Sequence, residues 1–82
     1  MYIKDIKNYI FELNFKLIYE KNKLYIANYK RIDHFDANKI NIIHNDGKVI
    51  IMGTSLGINK MLSNEILISG NIKEIIMEKN ED

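Results

Sequence analysis

The sequence predicts a small, mainly β fold, and three observations point to it. From Phe15 onward, short runs rich in β-branched and aromatic residues are separated by Asn, Asp, Lys and Gly, at the spacing typical of small all-β domains. Within the best of these runs, apolar side chains alternate as they do on the two faces of a strand. The chain has no proline and only four glycines, so nothing marks a linker and we expect residues 1–82 to form one domain. We therefore predict a small antiparallel β-meander, sandwich or roll of about seven short strands, with a short N-terminal helix.

The N-terminal segment has a helical period. Its apolar residues recur at i, i+3, i+7 and i+10, at positions Ile3, Ile6, Ile10 and Leu13. Such spacing lines one face of a short helix over about residues 3–12. The run 9–11, Tyr-Ile-Phe, would suit a strand as well.

The β region, about residues 15–77, divides into short runs. Strands are predicted near 15–20, 23–29, 31–35, 39–45, 48–53, 55–60 and 65–77. A turn at Gly70-Asn71 would split the last run into a hairpin, but folding back there mixes apolar and charged groups on both faces. We predict a continuous strand instead, with a bulge or bend between Gly70 and Glu74 where the alternation breaks.

The clearest local signal is a hairpin centred on Asp46-Gly47, a dipeptide suited to a type I′ turn. A two-residue turn there pairs His44 with Val49, Ile43 with Ile50, and Ile42 with Ile51. One face of this hairpin is predicted to form the core and carries Ile40, Ile42, Val49 and Ile51. The other face carries Ile43, Ile50 and Met52 together with Asn41. This second face is too apolar for open water, so we expect the N-terminal segment, a second sheet layer or another subunit to cover it.

Size and composition limit how the domain is stabilised and where it works. A chain of 82 residues can bury only a thin core. It has no cysteine for a disulfide and no Cys/His group for a structural zinc. Oligomerisation is therefore the remaining way to stabilise so small a domain. The net charge of +1 and the pI near 7.9 do not favour nucleic-acid binding. Charges in the first seven residues and the lack of a long apolar run predict a soluble, intracellular protein.

The reactive side chains do not form a catalytic pattern. His34 and Asp36 are two apart on a predicted strand, with Asp33 and His44 near in sequence, but a metal or acid/base site needs a third converging ligand. For His44 a hydrogen-bonded place at a strand end is the better interpretation. The nearest approach to a phosphate loop, residues 53–57, lacks the Gly-Lys-Ser/Thr ending and a following helix. The sequence therefore predicts no enzyme, no metal, no cofactor and no small-molecule substrate.

The apolar and glycine positions of the β region follow a distinctive order, at Ile32, Phe35, Asp36, Ile40, Ile42, Gly47, Val49, Ile51, Gly53, Leu56, Ile58, Met61, Ile66, Ile68, Gly70, Ile72 and Ile75. This order resembles the YabP/YqfC family of sporulation proteins. The similarity as a whole covers about residues 15–77 and is strongest from Lys23 onward. This chain departs from the pattern at Ala27-Asn28, where members often have glycine, and at Met77, where an aromatic residue often closes the pattern. Asn tolerates a left-handed backbone better than most residues, so the first departure can be structurally neutral.

The resemblance implies a role in bacterial endospore formation without an assigned enzymatic activity. Members look like structural or adaptor proteins of the mother cell, and their genes commonly accompany one for a membrane-embedded sporulation protein. The resemblance therefore implies a protein partner, and a cytoplasmic protein held at the forespore membrane through it. Combined with the second hairpin face, it leads us to expect an interaction surface at Ile43, Ile50 and Met52, with Lys30 and Arg31 as a charged rim.

An alternative is a subunit of an Sm-like RNA-binding ring, a fold that also combines a short N-terminal helix with bent strands. Phe35-Asp36 before an Ile-Asn pair and Ile68-Ser-Gly70 late in the chain are similar to its two signatures, although the spacing from Asp36 to Asn41 is too long. Tyrosines between basic residues, at Tyr19, Tyr25 and Tyr29, could stack on bases, but tyrosine in a strand more often covers a core.

Overall fold

The computed structural model describes residues 15–80, which form one antiparallel sheet of six strands. The strands are β1 (Lys16–Glu20), β2 (Lys23–Ala27), β3 (Arg31–Phe35), β4 (Lys39–His44), β5 (Gly47–Met61) and β6 (Glu65–Lys79). Their order across the sheet is β1-β2-β6-β5-β4-β3. The predicted mainly β, antiparallel fold is confirmed. Residues 15–80 contain no helix, and the helix predicted over about residues 3–12 lies outside the described residues.

Two of the seven predicted strands are halves of one strand. The runs 48–53 and 55–60 belong to β5, which is continuous over 15 residues. Ser55 takes a left-handed backbone (φ 55°) opposite Gly70, and pairing with β6 resumes at Gly57, opposite Ser69. The irregularity that resembles a strand end in the sequence is therefore a bulge within β5.

β6 is also continuous over 15 residues, as predicted for 65–77. Its register with β5 shifts between Ile72 and Glu74, so Lys73 is the extra residue of a bulge, within the interval predicted from the broken alternation. Gly70 has φ 138°, and a Cβ there would press on the Ser55 carbonyl and Leu56, so only glycine fits at this crossing.

The bulges divide the sheet into two halves that curl toward each other. β2 pairs with the first part of β6, residues 65–69, whereas β4 pairs with the first part of β5, residues 47–52. Phe15, just before β1, stacks on His44 at the end of β4, with ring centroids 4.0 Å apart. Since β1 and β4 are four places apart in the strand order, this contact brings opposite ends of the sheet together over one core.

The core lies on the concave face and is almost entirely aliphatic. It consists of Leu24, Ile26, Ile40, Ile42, Val49, Ile51, Leu56, Ile66 and Ile68, all 5% exposed or less. Both halves of the sheet contribute to it. The predicted core face of the hairpin is confirmed, because its four members are fully buried.

The register of the central hairpin differs from the prediction by two residues. His44 pairs with Gly47 rather than Val49, Ile42 with Val49 rather than Ile51, and the turn consists of residues 45–46. Neither turn residue has a positive φ, so this is not a type I′ turn. Gly47 belongs to β5 instead, because β6 passes so closely that a Cβ at Gly47 would overlap the Glu78 carbonyl. A shift of two residues leaves each side chain on its predicted face.

Positive φ angles occur at two other connections. Lys21 (φ 39°) and Asn22 (φ 63°) form the two-residue turn between β1 and β2, and both signs match a type I′ turn. Asn28 has φ 65°, so a left-handed backbone does occur within the Ala27-Asn28 pair, where the resemblance leads us to expect glycine.

Candidate interaction surface

The convex face of the β3–β4–β5–β6 half has an apolar centre. We call this face the outer face. Asn41, Ile50 and Ile76 lie side by side across β4, β5 and β6. Ile43 and Met52 occupy the diagonal positions next to this row, where long side chains reach each other. The outer face therefore joins four apolar side chains from three strands.

Charged residues surround this apolar centre. On one side Arg31 pairs with Ile43, and Lys48 lies 3.7 Å from the Glu78 carboxylate. On the other side Met52 lies between Lys39 and Glu74. Apolar residues framed by charges of both signs are the composition of a protein–protein interface with a polar rim.

The structure brings the predicted interaction residues together. Ile43 and Ile50 are half-buried by their neighbours, and Met52 is 38% exposed. Arg31 is exposed beside Ile43. Lys30 is also exposed, and its backbone N–H donates to the carbonyl of Ile43 at 2.7 Å, which fixes the start of β3 at the rim.

Ile76 is a member of the outer face that the sequence prediction missed. The run Ile75-Ile76-Met77 places apolar side chains on both faces of a strand, so only the long-range pairing of Ile76 with Ile50 assigns Ile76 to this surface. The oxygen Oδ1 of Asn41, at the middle of the same row, is buried and has no hydrogen-bond partner among residues 15–80.

His34 and Asp36 do meet, but as parts of a turn. His34 Nε2 lies 2.7 Å from Asp36 Oδ2, while Asp36 Oδ1 accepts the backbone N–H groups of Asn38 and Lys39 at 2.7 and 2.8 Å. The backbone bond from Asn38, then the contact with His34 and the bond from Lys39, lower the pKa of the Asp36 carboxyl. Asp36 therefore closes the β3–β4 connection.

His44 has the structural place predicted for it. It is 7% exposed, and its Nδ1 accepts the backbone N–H of Asp46 at 3.2 Å. Nε2 is buried without a partner in the described part of the chain. Burial lowers the pKa of the imidazole, against a smaller opposing effect of the Asp46 charge, so the fold favours the neutral ring.

Two of the tyrosines considered for base stacking are engaged within the protein. The Tyr25 hydroxyl donates to Glu65 Oε1 at 2.7 Å, and this bond, together with burial, raises the pKa of Tyr25. Tyr29 packs against the core. A shallow cleft of about 240 Å³ lies beside Tyr25 and is lined also by Lys60, Leu62, Glu65, Ile66 and Leu67.

Two kinds of feature are absent from the described residues. Residues 15–80 hold no group of three or more His, Cys, Asp or Glu side chains able to bind a metal ion. Within that range no helix is long and apolar enough to cross a membrane.

Comparison with known proteins gives one finding that bears on function. A family model described as the YabP family matches residues 15–82. The comparison with curated proteins gives no match. The matched segment includes all six strands and the whole outer face.

Proposed function

The chain belongs to the YabP family, and we propose that it is a non-enzymatic structural or adaptor protein of bacterial endospore formation, acting through protein–protein contacts. Membership of this family indicates a sporulation-related protein. The observation that supports an adaptor role is the outer face, where Ile43, Ile50, Met52 and Ile76 form an apolar centre within a charged frame.

The outer face suits a partner that supplies an apolar group and an acidic one. Met52 offers a flexible thioether side chain, which adapts its shape to a partner surface. Lys30 and Arg31 border the face near Ile43 and favour an acidic rim on the partner. The proposed partner is a membrane-embedded sporulation protein, which would hold this chain at the forespore membrane of the mother cell.

A photocrosslinking experiment in sporulating cells tests this proposal. A photoreactive amino acid placed at Met52 is expected to crosslink a membrane-embedded sporulation protein after illumination, because this side chain is the most exposed of the four apolar side chains of the outer face. The product is identified by mass spectrometry of the crosslinked band. No crosslink at Met52, or only crosslinks to unrelated abundant proteins, would contradict an adaptor role for this face.

Met61 provides a matched control position. It lies on the same strand, is more exposed (57%), and belongs to the opposite end of β5, away from the outer face. A photoreactive residue at Met61 is expected to give no specific product. Equal labelling of one partner from both positions would argue against the outer face as the contact.

A further inference from the structure

The edges of the sheet differ in how well they are protected from pairing with another strand. β1 and β3 are the outermost strands of the described sheet, and each has one side with no strand beside it among residues 15–80. β3 is interrupted by a register shift between Ile32 and His34, which leaves Asp33 as a bulge. Bulges and charges on an edge strand hinder pairing with another chain. β1 has an uninterrupted register with β2 over all five residues.

The β1 edge also carries exposed apolar side chains. Ile18 and Tyr19 are 51% and 48% exposed. Ile18 lies on the convex side, next to Tyr25 of β2. A regular edge strand with exposed apolar side chains is a template for strand addition.

The backbone of β1 presents alternate residues outward. Glu20 and Lys23 flank the two-residue turn and form its closing hydrogen-bonded pair. Ile18 and Lys16, two and four residues earlier, therefore also bond to β2, because hydrogen-bonded and non-bonded pairs alternate along an antiparallel ladder. The N–H and C=O groups of Leu17 and Tyr19 point away from β2, toward the open edge.

We propose that β1 pairs with β1 of a second copy of this chain, antiparallel about a two-fold axis through Ile18. In this register Leu17 of each copy faces Tyr19 of the other, so the outward N–H and C=O groups meet and form two hydrogen-bonded pairs. The two Ile18 side chains face each other in the closer, non-hydrogen-bonded geometry. The two sheets become one sheet of twelve strands.

The charges of β1 match this register. Lys16 of each copy faces Glu20 of the other, which places two opposite-charge pairs at the ends of the interface. Shifting the pairing by two residues in either direction would put Ile18 opposite a charged residue and leave a charge unpaired. A sequence that reads Lys-Leu-Ile-Tyr-Glu is thus self-complementary in one antiparallel register only.

The expected complex is weak. Five paired residues bury less than the roughly 1,200–2,000 Å² of a stable interface, so dimerisation will depend on protein concentration. A second copy also supplies the reinforcement that a thin, cysteine-free core lacks. The interface uses β1 alone, so it goes beyond the proposed adaptor function and does not depend on the outer face.

Charge exchange tests the register. Lys16→Glu and Glu20→Lys each place like charges opposite each other at two symmetry-related sites, and each should weaken self-association roughly tenfold or more. Mixing the two variants restores both opposite-charge pairs. Sedimentation of the mixture should therefore show a one-to-one dimer at concentrations where each variant alone is monomeric. A mixture that stays monomeric where the parent protein dimerises would overturn this register.

Disulfide trapping tests the position of the two-fold axis. The chain has no cysteine, so Ile18→Cys introduces one thiol, and directly opposed residues of a non-hydrogen-bonded pair lie about 4.5 Å apart, within disulfide range. Oxidation should give a covalent dimer in high yield. Phe35→Cys is the matched control, since Phe35 is 49% exposed on the other edge strand.

The outcomes of trapping separate the alternatives. Crosslinking of Ile18→Cys but not of Phe35→Cys supports pairing through β1. No dimer from Ile18→Cys, with the melting temperature of the parent protein retained, overturns the proposal and leaves residues 1–14 of the same chain as the occupant to examine. Equal crosslinking of both variants also overturns it, because random collision then explains the product.

Discussion

At the scale of single residues, Gly47, Gly53 and Gly70 set how closely β5 and β6 approach. A Cβ at Gly53 would overlap the carbonyl oxygen of Asn71, and one at Gly47 would overlap that of Glu78. Gly57 differs, since a Cβ there meets no atom within 4 Å. Glycines that look alike in the sequence thus have different structural roles.

We predict that Gly53→Ala destabilises the protein by about 2–4 kcal/mol, because backbone on both strands must move to admit the methyl group. Gly57→Ala, four residues along the same strand, should change the free energy of unfolding by about 0.5 kcal/mol or less. Urea denaturation of the two variants beside the parent protein measures both. Similar losses at the two positions would contradict the close approach at Gly53.

Protonation of His44 makes the stability of the protein depend on pH. Its neutral ring stacks on Phe15 and accepts the Asp46 N–H, and both features are lost or weakened when the ring gains a proton. The pKa of His44 in the folded state lies below its ordinary value of 6.5. The unfolded chain therefore binds more protons than the folded one as the pH falls below about 6.5.

Stability is accordingly predicted to be complete above about pH 6.5 and to decline as the pH falls through the folded-state pKa of His44. His44→Leu should flatten the decline between about pH 7 and pH 5. His34→Ala is the control, because His34 is exposed, and it should keep the decline. Urea titrations at several pH values measure the free energy of unfolding of each variant. If the free energy of His44→Leu falls with pH as steeply as that of the parent protein, His44 is not the source of the pH dependence.

At the scale of elements, the turns show where sequence patterns decide the structure and where they do not. Asp46-Gly47 is the stronger type I′ signal, yet the turn with two positive φ angles is Lys21-Asn22. Gly47 is drawn into β5 by its pairing with Lys79, which lies 32 residues further along the chain. The local preference of Asp46-Gly47 for a type I′ turn is thus outweighed by the pairing of Gly47 with Lys79, which no local sequence pattern reveals.

Residues better suited to a type I′ turn should strengthen the β1–β2 connection. The double substitution Lys21→Asn and Asn22→Gly supplies the residues that type I′ turns prefer, and it should stabilise the protein by about 0.5–1 kcal/mol. Asp46→Gly is the contrasting control, since Asp46 has no positive φ, and it should lower stability. Thermal unfolding followed by circular dichroism compares the three proteins. A loss of stability at the β1–β2 turn would contradict its geometry.

The face on which each side chain lies can be predicted from the sequence, whereas the order of the strands in the sheet cannot. Alternation places Ile40, Ile42 and Val49 in the core even though the predicted register is two residues off, because a shift of two preserves the face. The position of β6 between β2 and β5 depends on pairings with β2 that span 38 to 46 residues of sequence and on pairings with β5 that span up to 32. For that reason alternation identifies part of the outer face and misses Ile76.

At the scale of the whole molecule, the two proposed contact surfaces lie in different parts of the sheet. β1 forms one edge, and the outer face spans β4, β5 and the second half of β6. A dimer built through β1 therefore leaves an outer face available on each copy. Such an adaptor would present two binding sites, and two linked sites bind a clustered partner more tightly than either alone.

The most direct test of the central claim is the count of heat-resistant spores formed by a host strain in which Met52→Lys replaces the parent residue. The lysine places a charge among the apolar side chains of the outer face and should lower the count strongly, toward that of a strain lacking the protein. Met61→Lys, at the other end of β5, should form spores at the parental level. Parental spore counts in the Met52→Lys strain, with the protein present at normal abundance, would contradict an adaptor role exerted through this face.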